Sequence, residues 1–246
     1  MVNRTPEGSC LLAIPCYRES QRLPAFLSDL VNQLAQCDLD VDLQVVDDGS
    51  GPVEFEKLAL FLDTYEAHGS VLPLVGLASH KGKGAAIRAA WDVSSGRYDW
   101  LGFVDADGAV PAGEVIRLVR LALDGSITAD AIIGSRWKKG TAGRRVRRKW
   151  HRKIIGNLFA RTVRARLRLP VEDTQCGFKM IRSAAYASVR GRLKVDGLGM
   201  DLELLLQLHR QGYRIVEEAI DWMERSGSHV PLREHVRLIR SLFVVR

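Results

Sequence analysis

Two aspartates, Asp105 and Asp107, directly follow the apolar stretch Trp100-Leu101-Gly102-Phe103-Val104. A buried strand that opens into such a loop brings two carboxylates together, which predicts a seat for a hard divalent cation and the diphosphate that it neutralises. This chemistry serves reactions of a nucleotide-activated substrate. The alternative is a turn whose aspartates bond only their own backbone.

Three further loops place polar side chains after predicted strands. They are Pro15-Cys16-Tyr17-Arg18-Glu19, Val46-Asp47-Asp48-Gly49-Ser50 and His80-Lys81-Gly82-Lys83-Gly84. Taken singly, the second fits a turn or helix cap and the third fits a flexible helix start. Together with the acidic pair, they predict one shared ligand site at one edge of a sheet.

The elements that must position these loops alternate between short apolar strands and amphipathic helices. In the first helix the apolar residues recur with helical spacing, at Leu23, Phe26, Leu27, Leu30, Val31 and Leu34. Strands are predicted at residues 10–15, 43–47, 71–77, 100–104, 129–134, 177–181 and 213–217, with further helices at 52–67, 84–93, from 111 and at 199–211. The alternation predicts an α/β fold with a largely parallel sheet covered on both faces.

The basic charge of the chain is concentrated in one segment. Residues 136–168 hold 14 of the 36 Lys and Arg residues and no Asp or Glu, which leaves 22 basic against 29 acidic residues elsewhere. This asymmetry indicates a local anionic partner, such as a phosphate-bearing substrate or a lipid surface, rather than nucleic acid. Within 144–168, apolar residues oppose arginines at helical spacing, which fits a helix in the membrane headgroup layer or one packed on the core. The stretch at about 231–246 offers the same two interpretations, and a dimer contact as a third.

Composition favours a globular cytoplasmic protein. The chain of 246 residues is 46% hydrophobic, which is enough for the core of one domain. Its cysteines form no CxxC pair, and no stretch reaches the roughly 18 apolar residues of a membrane-spanning helix. We therefore expect free thiols, and membrane contact that is peripheral and at the cytoplasmic face.

The motifs, taken in order, resemble those of the family 2 glycosyltransferases. The resemblance is carried by Ile14-Pro15-Cys16-Tyr17-Arg18-Glu19, Val45-Val46-Asp47-Asp48-Gly49-Ser50, Lys81-Gly82-Lys83-Gly84-Ala85-Ala86-Ile87-Arg88, Asp105-Ala106-Asp107-Gly108, Gly134-Ser135-Arg136 and Asp173-Thr174-Gln175-Cys176-Gly177-Phe178-Lys179. The last motif is the sharpest, and the chain most resembles the dolichyl-phosphate glucosyltransferase and polyprenyl-phosphate glycosyltransferase branch. The resemblance implies one GT-A domain over 1–246, with a nucleotide-sugar half at about 1–110, an acceptor half at about 111–230 and a C-terminal amphipathic helix at about 231–246.

The resemblance also implies roles for individual residues. The nucleotide sugar would contact Pro15, Tyr17, Glu19, Asp47, Asp48, Lys81, Lys83, Asp105 and Asp201. Mg²⁺ or Mn²⁺ would be held by Asp107, with Asp105 and His229 as further candidates. Capping of a helix is the alternative role for Asp201. The family usually has Asn where this chain has Arg18, which is a departure within the nucleotide pocket.

The catalytic set implied by the resemblance is Asp107, Arg136, Asp173 and Gln175. A hydroxyl acceptor would need a carboxylate as general base, for which Glu172 or Asp173 are the candidates. A lipid phosphate is already anionic, so Arg136 would position it through forked hydrogen bonds, while Asp173 and Gln175 orient the site.

The expected function is therefore inverting, metal-dependent transfer of a hexose, with glucose favoured, from a UDP-sugar or a GDP-sugar to a polyprenyl phosphate. The alternatives are a soluble or hydroxyl acceptor with Asp173 as base, and a noncatalytic anion- or membrane-binding module. A dinucleotide-dependent enzyme or nucleotidyltransferase is disfavoured, because residues 82–87 lack the third small residue of a dinucleotide loop and no Walker-type phosphate loop occurs.

Overall fold

Seven strands form the mixed sheet that carries the predicted loops. The computed structural model describes residues 8–65, 68–94, 96–138, 146–147 and 169–225. The strands of this sheet are β1 Ser9–Cys16, β2 Asp40–Asp47, β3 Val75–Gly76, β4 Trp100–Val104, β5 Ala131–Ser135, β7 Phe178–Arg182 and β8 Ile215–Ala219, in the order β3-β2-β1-β4-β7-β5-β8. The short strands β6 Val146–Arg147 and β9 Trp222–Met223 pair separately in parallel.

Helices cover both faces of the sheet. They are α1 Leu23–Leu34, α2 Pro52–Asp63, α3 Lys83–Val93, α4 Ala112–Leu123, α5 Ser183–Val189 and α6 Met200–Arg210. Leu12 and Ile14 of β1 belong to the core that includes α1 and α4, whereas Leu11 and Ala13 belong to the core that includes α3 and α6. Because successive strand residues face opposite sides, a strand buried on both faces is apolar throughout.

Strand β7 runs against the direction of its neighbours. It pairs antiparallel with both β4 and β5, while the other pairs in the sheet are parallel. Its first residue, Phe178, therefore lies opposite Val104, the last residue of β4. This arrangement delivers the loop before β7 to the edge where the loop after β4 begins.

The structure corrects several predicted boundaries. The strand expected at 71–77 is reduced to β3 and an isolated bridge from Leu43 to Val71. Pro73 explains the interruption, since it lacks a backbone N–H and its carbonyl accepts a hydrogen bond from the side chain of Gln44. The second helix ends at Asp63 instead of 67, and the last predicted strand is shifted to 215–219.

The predicted amphipathic helices fall largely outside the described residues. Within 144–168 only residues 146–147 are described, and they form β6, a strand rather than a helix, because they pair with β9. The stretch 231–246 lies outside the described part, and the division into two functional halves remains a prediction. No described helix is both long and apolar enough to cross a membrane.

Candidate active site

Asp105 stands at the centre of the edge where the predicted loops meet. Its backbone N–H donates to the carbonyl of Gly177, 2.9 Å away, and its Oδ1 lies 2.7 Å from Nζ of Lys83. A Cβ at position 177 would lie only 2.1 Å from Oδ2 of Asp105. Glycine is therefore needed at 177 for close approach, which explains its place in the seven-residue motif.

A row of four side chains with alternating charge runs from Asp105 into the protein interior. Asp201, 2% exposed, lies 3.4 Å from Nζ of Lys83 through Oδ2 and 2.8 Å from Nζ of Lys179 through Oδ1. Lys179 is fully buried in β7, where it also donates to the carbonyl of Cys176. We call Asp105, Lys83, Asp201 and Lys179 the charge row. Asp201 thus contacts Lys83, and its predicted contact with the nucleotide sugar remains a prediction.

Burial and neighbouring charges oppose each other in the charge row. Burial alone would lower the pKa of Lys83, but the carboxylates of Asp105 and Asp201 outweigh it and raise this pKa above its usual range. Burial likewise favours a higher pKa for Asp105, and the nearby Lys83 outweighs it so that the pKa is lowered. Both groups are therefore charged at neutral pH.

Only one carboxylate oxygen of Asp107, Oδ1, takes part in the hydrogen bond that shapes its own turn. Its Oδ1 accepts the backbone N–H of Ala109 at 2.9 Å. Burial, and then the charge of Asp105, raise the pKa of Asp107. A bound cation would relieve this repulsion between like charges.

The donor set fits Mg²⁺ or Mn²⁺. Carboxylate oxygens are suitable hard ligands, and no three His, Cys, Asp or Glu side chains form a complete cage among the described residues. Mg²⁺ is usually bound through one or two carboxylates together with substrate phosphates. Asp107 and Asp105 meet that description, whereas His229 lies outside the described residues and its predicted role as a ligand remains a prediction.

The adjacent aspartates at the end of β2, Asp47 and Asp48, have different partners. Asp48 accepts the backbone N–H groups of Lys81 and Gly82, both at 2.8 Å, and pairs with Nδ1 of His80 at 2.9 Å. Asp47 accepts the N–H of Ser50 through Oδ2, while its buried Oδ1 has no hydrogen-bond partner. Asp48 therefore fastens the loop before α3, whereas Asp47 retains one buried acceptor without a partner.

An aromatic pair lies beside these aspartates. Tyr17 stacks on His80 with ring centroids 3.9 Å apart, and the guanidinium of Arg18 lies 5.3 Å from the centroid of Tyr17. Arg18 has φ 55°, in the left-handed region that Asn tolerates better than most residues. The Asn that the family usually carries here thus has a backbone reason. In this chain Arg18 adds a cation over the tyrosine instead.

Two other residues of the first loop that were predicted to contact the nucleotide sugar, Glu19 and Pro15, contact other parts of the protein. Glu19 forms an ion pair with Arg22 through Oε1, and its buried Oε2 has no hydrogen-bond partner. Burial raises the pKa of Glu19 in spite of Arg22. Pro15, half-buried in β1, pairs with Val46 of β2. The Oε2 of Glu19 is thus a second buried acceptor without a partner at this edge.

Arg136 and Asp173 form a nearly closed unit. Asp173 accepts the backbone N–H and Nε of Arg136 through Oδ2, at 2.9 and 2.7 Å, and Nη2 through Oδ1 at 2.7 Å. Asp173 is 2% exposed. Burial would raise its pKa, but Arg136 outweighs burial and lowers it. An aspartate so engaged is an anchor for the guanidinium and a poor general base.

Further residues support this unit. The N–H of Gln175 donates to Asp173 at 3.3 Å, and Oε1 of Glu217 accepts the N–H groups of Glu172 and Asp173 at 2.8 and 2.7 Å. The guanidinium of Arg136 lies 5.6 Å from the ring centroid of Trp222. The sequence carries no signal for this contact between the Glu217 side chain and the backbone of residues 172 and 173, because the contact depends on β8 lying beside β5.

Sequence reasoning also missed Lys179 and His80 as members of the site. A visible signal for Lys179 was its position in an otherwise apolar strand, Phe178-Lys179-Met180-Ile181. A fully buried lysine needs a charged partner, and Asp201 provides it. Lys81 contributes its backbone N–H to Asp48, while its side chain is exposed.

Comparison with known proteins identifies the family of the chain. Residues 12–190 match the family described as Glycosyl transferase family 2. The chain is 28% identical over 255 residues to a dolichyl-phosphate beta-glucosyltransferase of Mus musculus, covering 98% of this chain and 76% of the relative. It is 29% identical over 221 residues to an undecaprenyl-phosphate mannosyltransferase of Micrococcus luteus, covering 87% of this chain and 84% of the relative.

A solved structure shares the architecture. The glucosyl-3-phosphoglycerate synthase of Mycobacterium tuberculosis, in complex with Mn²⁺, uridine diphosphate and phosphoglyceric acid, gives a TM-score of 0.68 at 18% identity, covering 97% of this chain and 77% of that chain. At this identity the likeness shows the fold alone, which is GT-A. The predicted fold class is thereby confirmed.

Proposed function

Because the chain belongs to glycosyl transferase family 2, we propose that it transfers a hexose from a nucleotide diphosphate sugar to a polyprenyl phosphate with the help of Mg²⁺ or Mn²⁺. A UDP-sugar is the favoured donor, with glucose as the favoured hexose. The names of the Mus musculus and Micrococcus luteus relatives support a polyprenyl-phosphate acceptor, and dolichyl phosphate is the acceptor in the first name.

The observation that carries the acceptor class is the pairing of Arg136 with Asp173. Both carboxylate oxygens of Asp173 are bonded to Arg136, and its pKa is lowered. A sugar hydroxyl would require a base to remove its proton, and Asp173 is poorly suited to that task. A phosphate acceptor is already deprotonated and requires only a positioned cation, which Arg136 supplies.

The proposed reaction is a single displacement at the anomeric carbon. An oxygen of the acceptor phosphate forms the new bond to C1, the bond from C1 to the donor diphosphate breaks, and the nucleoside diphosphate leaves with the electron pair. This route inverts the anomeric configuration and needs no proton transfer at neutral pH. When bound, the divalent cation neutralises charge on the leaving diphosphate.

Other residues bind the cation, the nucleotide and the membrane. Asp107 and Asp105 hold the cation, and Lys83 balances negative charge beside them. The nucleobase lies against the exposed ring of Tyr17, beside the loop that carries Asp47 and Asp48. We further propose that residues 144–168 contact the cytoplasmic face of the membrane, where the lipid acceptor resides; the support is that this segment is rich in Lys and Arg and has no Asp or Glu.

Transfer assays with a panel of donors test the proposal. UDP-glucose, UDP-galactose and GDP-mannose are each incubated with Mn²⁺ or Mg²⁺ and a short-chain polyprenyl phosphate, and lipid-linked sugar is measured after extraction. Asp107→Ala is expected to lower product formation by at least about 100-fold, the loss typical of removing a group that stabilises transition-state charge. Asp63→Ala, at the exposed end of α2, is the matched control.

Different outcomes have different meanings. Lipid-linked product that requires the metal and Asp107 supports the proposal and identifies the sugar. Metal-dependent hydrolysis of one donor without lipid product would overturn the acceptor and direct the search to soluble acceptors. Product formation that resists both chelation and Asp107→Ala would refute the assignment of the metal site.

A further inference from the structure

We propose that Lys83 is a built-in counter-ion that competes with the divalent cation for Asp105, so that the cation binds tightly only together with the donor diphosphate. Asp201 and Lys179 act as positioning residues that keep Lys83 available for this exchange. The inference rests on the proposed function, because it assumes a metal-dependent nucleotide donor.

Lys83 already contacts one carboxylate oxygen of Asp105. Its Nζ lies 2.7 Å from Oδ1 of Asp105, and the side chain is 15% exposed. Its ammonium also lies 4.5 Å from the ring centroid of Phe103. A cation that approached Oδ1 of Asp105 would therefore meet a positive charge already in contact with that oxygen.

Lys83 projects from a stretch of backbone that Asp48 holds in place. Asp48 accepts the N–H groups of Lys81 and Gly82 at 2.8 Å each, which fixes the turn immediately before Lys83. Lys83 is then the first residue of α3. Its exchange between partners therefore needs rotation of a flexible side chain and no movement of the loop.

Asp201 keeps a charged partner when the side chain of Lys83 rotates away. Asp201 is 2% exposed and would be costly to leave unpaired. It lies nearer to Nζ of Lys179, at 2.8 Å, than to Nζ of Lys83, at 3.4 Å, and the contact with Lys179 is an ion pair without hydrogen-bond geometry. Lys179 therefore keeps Asp201 neutralised, and Lys83 is free to follow the negative charge of the diphosphate.

The effect of Lys83 on the affinity of Asp105 for the divalent cation can be estimated. A neighbouring cation weakens the affinity of a carboxylate for a proton by about 10- to 1000-fold, and the same repulsion acts on Mn²⁺ or Mg²⁺. The Asp105 side chain is 40% exposed, so solvent screening places the expected effect toward the lower end. A diphosphate removes this obstacle in two ways, because it adds oxygen ligands for the metal and attracts Lys83.

Mn²⁺ binding measured by electron paramagnetic resonance tests the inference without any sugar transfer. The free Mn²⁺ signal is titrated with unmodified protein, Lys83→Gln and Lys57→Gln, each with and without UDP. Lys83→Gln is expected to raise the Mn²⁺ affinity without UDP by about tenfold or more. It should also reduce the factor by which UDP strengthens Mn²⁺ binding. Lys57→Gln removes the same charge from the surface of α2, where Lys57 is 55% exposed, and should change neither quantity.

The possible failures can be told apart. Equal Mn²⁺ affinities of unmodified protein and Lys83→Gln in the absence of UDP would overturn the inference while leaving the proposed function intact. No Mn²⁺ binding by the unmodified protein even with UDP would overturn both. If Lys83→Gln did not fold, as judged by circular dichroism, the unmodified protein would still decide, since Mn²⁺ affinities that are equal with and without UDP would refute the competition.

Discussion

Replacing Asp173 with Asn should test whether this residue anchors Arg136 or acts as a base. The substitution preserves shape and removes one negative charge from a side chain that is 2% exposed. Arg136, whose side chain is 12% exposed, would lose its charged partner while retaining its own charge. We therefore expect Asp173→Asn to destabilise the fold, in addition to reducing transfer.

The magnitude follows from the contacts. Removing one partner of a buried ion pair costs about 3–5 kcal/mol. The amide oxygen of Asn can still accept one of the hydrogen bonds that Arg136 makes to Asp173, so the lower end, about 3 kcal/mol, is expected. For a chain of this size, about 3 kcal/mol corresponds to a fall in Tm of roughly 6–12 °C.

The loss should also depend on pH in a defined direction. The folded-state pKa of Asp173 is lowered, so the carboxylate contributes stability above its unfolded value of about 3.9, and this contribution disappears as the pH falls through the folded value. The difference in free energy of unfolding between unmodified protein and Asp173→Asn should be complete at pH 7 and shrink below about pH 4.

Urea unfolding followed by circular dichroism between pH 3 and pH 7 is the appropriate assay. Asp63→Asn, at the exposed end of α2, serves as the control for loss of one carboxylate. A variant Asp173→Asn that unfolds at the same urea midpoint as the unmodified protein, yet has lost transfer, would refute the anchoring role. That outcome would restore Asp173 as a candidate base and a hydroxyl as a candidate acceptor.

Two glycines give further predictions. Gly177→Ala places a methyl group 2.1 Å from Oδ2 of Asp105, so the carboxylate must move; we expect weaker UDP binding by calorimetry with little change in Tm. Gly191→Ala, which meets nothing within 4 Å, should leave both unchanged. Gly49 has φ +67°, and a Cβ there would lie 2.3 Å from the backbone carbon of Ser79; Gly49→Ala should cost at least about 2 kcal/mol in urea unfolding. A cost below about 0.5 kcal/mol would contradict the close packing of these two loops.

The elements that depend on local pattern were predictable from sequence. The six apolar residues of α1 are all buried, and β4 has the predicted bounds 100–104. Both elements show a strong periodicity or a continuous apolar run bounded by turn residues. The four loops at one edge of the sheet followed from the same alternation, because parallel strands place their carboxyl ends together.

The rest required contacts between distant parts of the chain. Asp47 and Asp48 are chemically identical neighbours, and only the loop at 80–82 distinguishes Asp48, the anchor, from Asp47, which keeps an unpaired oxygen. The antiparallel direction of β7 has no signature in a strand of five residues. The partner of Lys179 lies on α6, and no local pattern relates the two.

The reversed strand β7 has a consequence for how the protein acquires its ligand site during folding. Strands β1, β2 and β4 come from the first 104 residues, but the groups that hold Asp105 and Arg136 in place, Gly177 and Asp173, arrive with the chain leading into β7. Contacts that close long loops form late, because the entropy of closure must be overcome first. The donor site therefore depends on a pairing that joins Val104 to Phe178 across a long stretch of chain, and a chain in which β7 had not yet paired would possess β1, β2 and β4 without the loop that positions Asp105 and Arg136.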